Sequence, residues 1–314
     1  MDLSEESALD VAQQIAHASC EAHPVSARMR PFQDLGSSSK SILVSLSDGT
    51  DVVVQLRDTE IDTSAVALAN TLLGDVVPLS RAAKTSAVQA AYIYPSIGGK
   101  LWTENEVPLE GDVSIASQLA SLLARLALPM ESTSMIDRVV VPRLRRIVAK
   151  EHIPSDELKQ RIDDMVHTTE HLRALPLAIC PSDLDPSHVV IDEDFNVTGL
   201  INWETTTLLP LGMSAWAIHP LSTSNKGGVD ILLEKTKPMA EAFWKEFVAN
   251  MPHHLQAHQR TLIDAMEIGL VFSAFPEGKE TSEDAIRLLP TRLEWLRDTF
   301  EPLCRTPLER IVED

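Results

Sequence analysis

Two neighbouring stretches in the second half of the chain decide the fold. The first reads Cys180-Pro181-Ser182-Asp183-Leu184-Asp185-Pro186-Ser187-His188-Val189-Val190-Ile191-Asp192, and the second reads Val197-Thr198-Gly199-Leu200-Ile201-Asn202-Trp203-Glu204. Short apolar runs at 178–180, 189–191 and 198–201 are separated by polar, turn-forming residues, which is typical of β-strands. We therefore predict a strand, a polar loop that carries Asp183 and His188, a second strand and a hairpin.

Towards the amino terminus, the sequence predicts a helix followed by antiparallel strands. The runs 41–46 and 51–56 are rich in β-branched residues and flank Asp48-Gly49, which is a strong hairpin signal. A helical pattern follows at 62–73, and 90–95 is predicted to be a further strand.

The rest of the chain is predicted to be mostly helical. Apolar residues at 115, 119, 122, 123 and 126 have the spacing of a buried helix face. We predict further helices at 135–151, 155–174, 229–249, 254–275 and 281–300, the second of these beginning at a Ser155-Asp156 cap. The fold class is therefore α+β.

The loop and hairpin resemble the catalytic core of the aminoglycoside phosphotransferase and choline-kinase-like family, in the form of a degenerate member of fungal type. That family carries His-Gly-Asp-Leu-x-x-x-Asn on a loop, then a strand, then Gly-x-Ile-Asp-Trp-Glu on a hairpin. The resemblance covers nearly the whole chain and implies a two-lobed protein-kinase-like fold. We expect a small β-rich lobe at 1–97 and a larger helical lobe at 98–314.

The resemblance assigns the predicted site residues, and several of them depart from the family. Asp183 lies where the family keeps its catalytic Asp, but 181–182 are Pro and Ser in place of His and Gly. His188 replaces the Asn that binds a second metal, and Asn202 replaces the Asp that holds Mg²⁺. Mg²⁺ prefers anionic oxygen ligands, which neither residue supplies.

The strand predicted to contact a nucleotide, at 51–56, also differs from the family pattern. The family's phosphate-binding Lys or Arg aligns with Gln55, and Arg57 lies two residues on, facing the same side of the strand. The helix at 62–73 carries no Glu to pair with such a cation, and Glu60 and Asp62 are the nearest acids. We therefore expect no cofactor. Mg-ATP is expected only if Gln55, Arg57 and Asn202 bind a nucleotide after all.

Three functional hypotheses follow. In the first, ordinary Mg-ATP phosphoryl transfer is lost, and a biosynthetic small molecule binds in the interlobe cleft. Asp183, with His188 or Glu204, then carries out acid–base chemistry on it, as a cyclisation, an isomerisation or a dehydration. In the second, the chain is an ATP-dependent phosphotransferase with Asp183 as base. In the third, it is a non-catalytic pseudokinase that binds a partner or ligand. The competing structural interpretations are a loop-capping role for Asp183 and a hydrogen-bonded structural role for His188.

One further motif suggests a metal. Residues 167–171 read His-Thr-Thr-Glu-His, the inverted zinc-protease pattern, and Glu241 or Glu246 would be the third ligand. Short patterns of this kind also arise by chance, so we interpret these residues as a solvated helix face and predict no metal site.

Composition limits the partners. The 314 residues carry 27 Lys+Arg against 46 Asp+Glu, a formal charge of −19, which repels nucleic acid and anionic membranes. A neutral or weakly polar small molecule is the expected partner, and the oligomeric state is left open. Three scattered cysteines form no disulfide framework, and the sequence shows neither a signal peptide nor an apolar run of membrane-spanning length. We therefore expect a cytoplasmic protein.

Overall fold

The structure is a computed structural model that describes residues 3–30, 39–150, 153–203, 205–278 and 281–304. Contacts between Cα atoms divide the chain into two compact units. The first unit comprises Met1–Trp102, Ser187–Asp192 and Thr198–Glu204. The second unit comprises Thr103–Pro186, Glu193–Val197 and Thr205–Asp314. The predicted boundary at residue 97 stays a prediction.

The described residues alternate between short strands and longer helices. The strands are β1 (Pro24–Met29), β2 (Ser39–Leu46), β3 (Asp51–Arg57), β4 (Arg81–Ala83), β5 (Ala90–Pro95), β6 (Lys100–Leu101), β7 (Ala127–Glu131), β8 (Pro176–Cys180), β9 (Val189–Ile191), β10 (Val197–Leu200), β11 (Thr207–Pro210), β12 (Thr223–Lys226) and β13 (Val229–Leu232). The helices are α1 (Glu5–Ser19), α2 (Ser64–Leu73), α3 (Leu109–Arg125), α4 (Thr133–Met135), α5 (Val141–Val148), α6 (Asp156–Thr168), α7 (Ile218–Ser222), α8 (Thr236–Asn250), α9 (Gln259–Ala274) and α10 (Glu283–Cys304).

The first unit is built on a five-stranded antiparallel sheet with the order β1-β2-β3-β5-β4. The predicted hairpin at its centre is confirmed, because β2 pairs with β3 with Ser45 opposite Asp51. The Asp48 side chain closes the turn by accepting hydrogen bonds from the Thr50 N–H (2.9 Å) and hydroxyl (2.7 Å). These bonds lower the pKa of the Asp48 carboxyl.

Helix α1 covers one face of this sheet. Its Ala12, Ile15 and Ala16 are buried in the same apolar cluster as Val54 and Leu56 of β3. Because side chains alternate along a strand, Gln55 and Arg57 lie on the opposite face of the sheet from α1. The α1 side is therefore the apolar core of this sheet, and the other side carries the polar strand residues.

The second unit has a helical core in which α3 packs against α8. The predicted apolar face of α3 is confirmed: Ile115, Leu119, Leu122, Leu123 and Leu126 are all buried. On α8, the ring centres of Phe243 and Trp244 are 4.8 Å apart, and the Trp244 ring centre lies 5.2 Å from that of Phe300 on α10. Both pairs meet edge to face. Such aromatic contacts stabilise a core beyond their buried area.

The predicted helix at 229–249 is wrong in its first turns. Residues 229–232 form strand β13, which pairs with β12, and helix α8 begins only at Thr236. The turn between the strands is Gly227-Gly228, with φ of 59° and 76°, a conformation that Gly adopts without a steric cost. Two glycines between strand-forming residues are a hairpin signal, and that signal outweighs the helical spacing.

Two other predicted helices differ in detail. The helix predicted at 155–174 has its Ser155 cap, which accepts from the Leu158 N–H, but α6 ends at Thr168 and a 3-10 helix follows at His171–Ala174. The helix predicted at 135–151 begins as α4, passes through a π-helical turn at Ile136–Val140 and ends with α5. Within the described residues, no helix is long and apolar enough to cross a membrane.

Candidate functional site

Asp183 lies on the loop that follows β8 in the second unit. Its flanking residues Cys180 and Leu184 are buried, whereas the Asp183 side chain is partly exposed. The Thr205 hydroxyl donates a 2.9 Å hydrogen bond to Asp183 Oδ1, and the Ser182 hydroxyl donates a 2.6 Å hydrogen bond to the Thr205 carbonyl. The carboxylate is therefore oriented by the residue that follows the hairpin.

The pairing of β8 with β11 explains why Thr205 reaches this loop. Thr207 lies opposite Cys180 in that antiparallel pair, so the residues before Thr207 run alongside the residues after Cys180. The loop and the return of the chain from the hairpin thus meet because of strand register.

His188 and Asn202 meet in the first unit. The Asn202 side-chain amide lies 2.8 Å from His188 Nε2, and the Ile201 N–H donates to the His188 carbonyl at 2.9 Å. Asn202 has a φ of 66°, a left-handed conformation that Asn tolerates better than most residues. The two positions at which the resemblance implies metal ligands are therefore occupied by a hydrogen-bonded imidazole and amide.

This pair does not fit the Mg²⁺ site that the resemblance implies. Mg²⁺ is usually bound through carboxylates and phosphates, and it selects hard oxygen ligands. His188 supplies only ring nitrogens, and the hydrogen bond to Asn202 uses one of them. Asn202 supplies a neutral amide in place of a carboxylate.

Gln55 and Arg57 lie side by side on β3, as the strand alternation predicts. Both are nearly buried, at 8% and 9% exposure. The Tyr94 hydroxyl donates a 3.2 Å hydrogen bond to Gln55 Oε1. The position that the resemblance aligns with the family's phosphate-binding cation therefore holds a neutral amide that accepts a hydrogen bond from a tyrosine.

The predicted site residues are distributed over both units. The structure brings His188 and Asn202 together, places Gln55 and Arg57 on one face of β3, and joins Asp183 to Thr205. Glu204 lies outside the described residues.

Thr205 and Tyr94 are site neighbours that the sequence analysis missed. The alternation of Tyr92 and Tyr94 along the strand predicted at 90–95 was a usable signal for Tyr94, but the register that sets Tyr92 opposite Gln55 comes from the structure. Thr205 could have been suspected only from its position directly after the hairpin motif.

The His-x-x-Glu-His motif does not form one helical face. Helix α6 ends at Thr168, so His167 and His171 lie in different elements, and His171 Nδ1 contacts Asp264 Oδ2 at 3.3 Å. Burial raises the pKa of Asp264 against the lowering effect of His171. Among the residues that the structure describes, no three His, Cys, Asp or Glu side chains are grouped to hold a metal ion.

A separate cavity of about 450 Å³ lies within the second unit. Apolar side chains and prolines dominate its lining, including Leu128, Met130, Leu175, Pro176 and Leu255. None of the predicted site residues lines this cavity.

Comparisons with protein-family models and with curated proteins give no match. Solved structures do match. A macrolide 2'-phosphotransferase type I has a TM-score of 0.55 at 15% identity, covering 97% of this chain and 99% of that one. A choline kinase from Cryptosporidium parvum Iowa II has a TM-score of 0.56 at 12% identity, covering 96% of each chain. A spectinomycin phosphotransferase, APH(9)-Ia, has a TM-score of 0.51 at 11% identity, covering 95% and 99%.

Similarity at these identities shows a shared fold and leaves the chemistry to the residues of the site. The α+β fold class and the resemblance predicted from the loop and hairpin are both confirmed at this level. The chain has the protein-kinase-like fold of the aminoglycoside phosphotransferases and choline kinases.

Proposed function

We propose that this chain is a small-molecule enzyme that uses a phosphotransferase fold for acid–base chemistry, with Asp183 as the proton-transferring group and without ordinary Mg-ATP phosphoryl transfer. The observation that carries the proposal is the 2.8 Å contact between Asn202 and His188. It supports the proposal because two positions expected to ligate metal instead satisfy each other.

The electrostatic requirements of phosphoryl transfer support the same proposal. The transferred group carries negative charge that metal ions and a cation normally neutralise. Here Gln55 and Asn202, at two of the charge-neutralising positions, are both neutral amides. A surface with a formal charge of −19 adds repulsion toward a polyphosphate.

Asp183 has the features of a general base. Its carboxylate is partly exposed, so a substrate proton can reach it, and the bond from Thr205 restricts its orientation. A positioned base typically contributes a factor of about 10² to 10⁴ in rate. In an isomerisation or cyclisation the proton returns to the substrate, and in a dehydration it leaves with the departing hydroxyl as water. His188 and Glu204 are further candidates for the second proton transfer, and the expected substrate is neutral or weakly polar.

The test is a calorimetric titration of the full chain with Mg-ATP and with Mg-GTP, beside a matched variant that carries His188→Asn and Asn202→Asp. We expect no heat of binding from the wild type at about 1 mM nucleotide. Any binding free energy is then weaker than about 4 kcal/mol. If the absence of nucleotide binding is caused by the missing metal ligands, the double variant gains Mg²⁺-dependent nucleotide binding. Micromolar binding together with phosphate transfer by the wild type would contradict the proposal.

The second candidate is an ATP-dependent phosphotransferase with Asp183 as base. It is favoured by the nearly buried Arg57 on the same strand face as Gln55, and by the structural neighbour solved in complex with ADP and spectinomycin. It predicts that Arg57→Gln abolishes nucleotide binding, whereas Gln55→Lys strengthens it. A non-catalytic binding module stays a prediction as well. Its distinguishing property is that Asp183→Asn leaves its function unchanged.

A further inference from the structure

Two exposed histidines meet at the carboxyl end of α1 in the first unit. His17 lies in the last turn of α1, and His23 directly precedes β1. Their Nδ1 atoms are 3.3 Å apart, and the two ring centres are 5.2 Å apart with an angle of 31° between the ring planes. Local sequence spacing does not pair them, because the chain turns between the end of α1 and the start of β1.

These distances fit two imidazoles that share one ion. Two nitrogens at about 2.05 Å from a tetrahedral Zn²⁺ lie about 3.3 Å apart, and rings centred about 1.15 Å behind them have centres about 5.2 Å apart. A linear N–H···N bond of the same length would place the ring centres about 5.6 Å apart. Across this gap one Nδ1–H can donate to the other Nδ1, and the ring separation also fits two nitrogens that share one ion.

The fold holds both backbones in place before any ion binds. Helix α1 is anchored in the core of the sheet through Ala12, Ile15 and Ala16. The His23 N–H donates to the Ser47 hydroxyl at 3.2 Å, and the His23 carbonyl accepts from the Ser47 N–H at 2.8 Å. The side chains remain exposed, so an ion can enter from solvent without any opening of the structure.

The local charge also favours a cation. The last turn of a helix presents unsatisfied carbonyl groups and a partial negative charge, which stabilise a positive ion nearby. Imidazole nitrogen suits Zn²⁺, Ni²⁺ and Cu²⁺ better than it suits Mg²⁺ or Ca²⁺. Since the described residues contain no group of three suitable side chains, the remaining positions of the ion belong to water.

We propose that His17 and His23 form a two-histidine site for Zn²⁺ or a similar divalent transition-metal ion, which bridges the end of α1 to the start of β1. Such an ion ties α1 to the sheet and stabilises the folded state by an amount that rises with the logarithm of the free ion concentration above Kd. The site is independent of the chemistry proposed for Asp183.

The experiment is a calorimetric titration of the metal-free full chain with ZnCl₂ at a pH of about 7.5. The variants are His17→Asn and His23→Asn, and the matched control is His167→Asn, an exposed histidine on α6. We expect one zinc ion per wild-type chain, a thermal midpoint that rises with zinc and falls back with EDTA, and an affinity at least tenfold weaker in either site variant.

His167→Asn should bind zinc as the wild type does. Circular dichroism without zinc checks that the variants are folded, which is expected because both side chains are exposed. The proposal is overturned if the wild type binds no zinc at about 100 μM, because a dissociation constant above that concentration is too weak for a chelating pair. It is equally overturned if either site variant retains wild-type affinity.

Discussion

A buried histidine in the second unit makes stability depend on pH in a way that one substitution can isolate. His219 in α7 is 4% exposed, and its ring contacts Trp295 edge to face at 5.0 Å. Its Nε2 lies 3.5 Å from Asp230 Oδ2, and Arg292 binds the same carboxylate through two bonds of 2.6 and 2.8 Å. We predict that His219→Gln removes a large part of the loss of stability in mild acid.

The reason is the pKa of the His219 imidazole. Burial and, to a lesser extent, the Arg292 guanidinium lower it from 6.5 to about 4, against the opposing effect of Asp230. Burial raises the pKa of Asp230, but hydrogen bonds from Arg292 and Asn225 outweigh it, so its carboxyl has a lowered pKa and stays ionised at pH 5. His219 is therefore the residue of this cluster whose protonation differs between the folded and the unfolded chain in mild acid.

The sign follows from which state binds the proton. Below pH 6.5 the unfolded chain protonates His219 while the folded chain does not, so stability falls as the pH falls from 6.5 toward 4. The full effect of a shift from 6.5 to about 4 is about 3 kcal/mol, and about 2 kcal/mol of it is reached at pH 5.

The assay is urea unfolding followed by tryptophan fluorescence at about pH 7.5 and pH 5, for the wild type and His219→Gln. The variant is less stable at pH 7.5, because it loses the contact with Trp295, but between the two pH values it loses about 2 kcal/mol less than the wild type does. Losses that agree within about 0.5 kcal/mol, the usual size of an incidental surface effect, would refute the reasoning.

Two further substitutions test packing and the strand site. Gly269→Ala in the middle of α9 places a Cβ against the Met213 carbonyl oxygen, so it should lower the free energy of unfolding by about 3 kcal/mol or prevent folding. In an ordinary helix interior the same substitution is stabilising. A thermal midpoint at or above that of the wild type would contradict the prediction. Tyr94→Phe removes the hydrogen bond to Gln55 and should lower the urea-unfolding free energy by about 1 kcal/mol, and a gain in stability would show that the bond does not hold Gln55 in place.

Local sequence signals predicted the elements whose residues interact with near neighbours in the chain. The β2–β3 hairpin follows from Asp48-Gly49, and the buried face of α3 follows from its apolar spacing. The β12–β13 hairpin was missed because its flanking residues also fit a helical spacing, and only pairing across Gly227-Gly228 decides between the two.

The candidate site divides in the same way. Asp183, His188, Gln55, Arg57 and Asn202 could be named from motif positions and strand alternation. Their contacts could not be named, because each contact joins residues that are distant in sequence. Asn202 meets His188 across 14 residues, and the Asp183 carboxylate accepts from a threonine 22 residues later.

The sequence by itself determined the fold class and, through the resemblance, which side chains are predicted for the chemical positions. Only the tertiary structure decided what those side chains do to one another: His188 and Asn202 bond each other, and Tyr94 orients Gln55. It also decided that His17 and His23 converge at the end of α1. The physical reason is that residue type and spacing set local conformation, whereas hydrogen bonds between distant residues depend on strand register and packing, which the whole chain sets together.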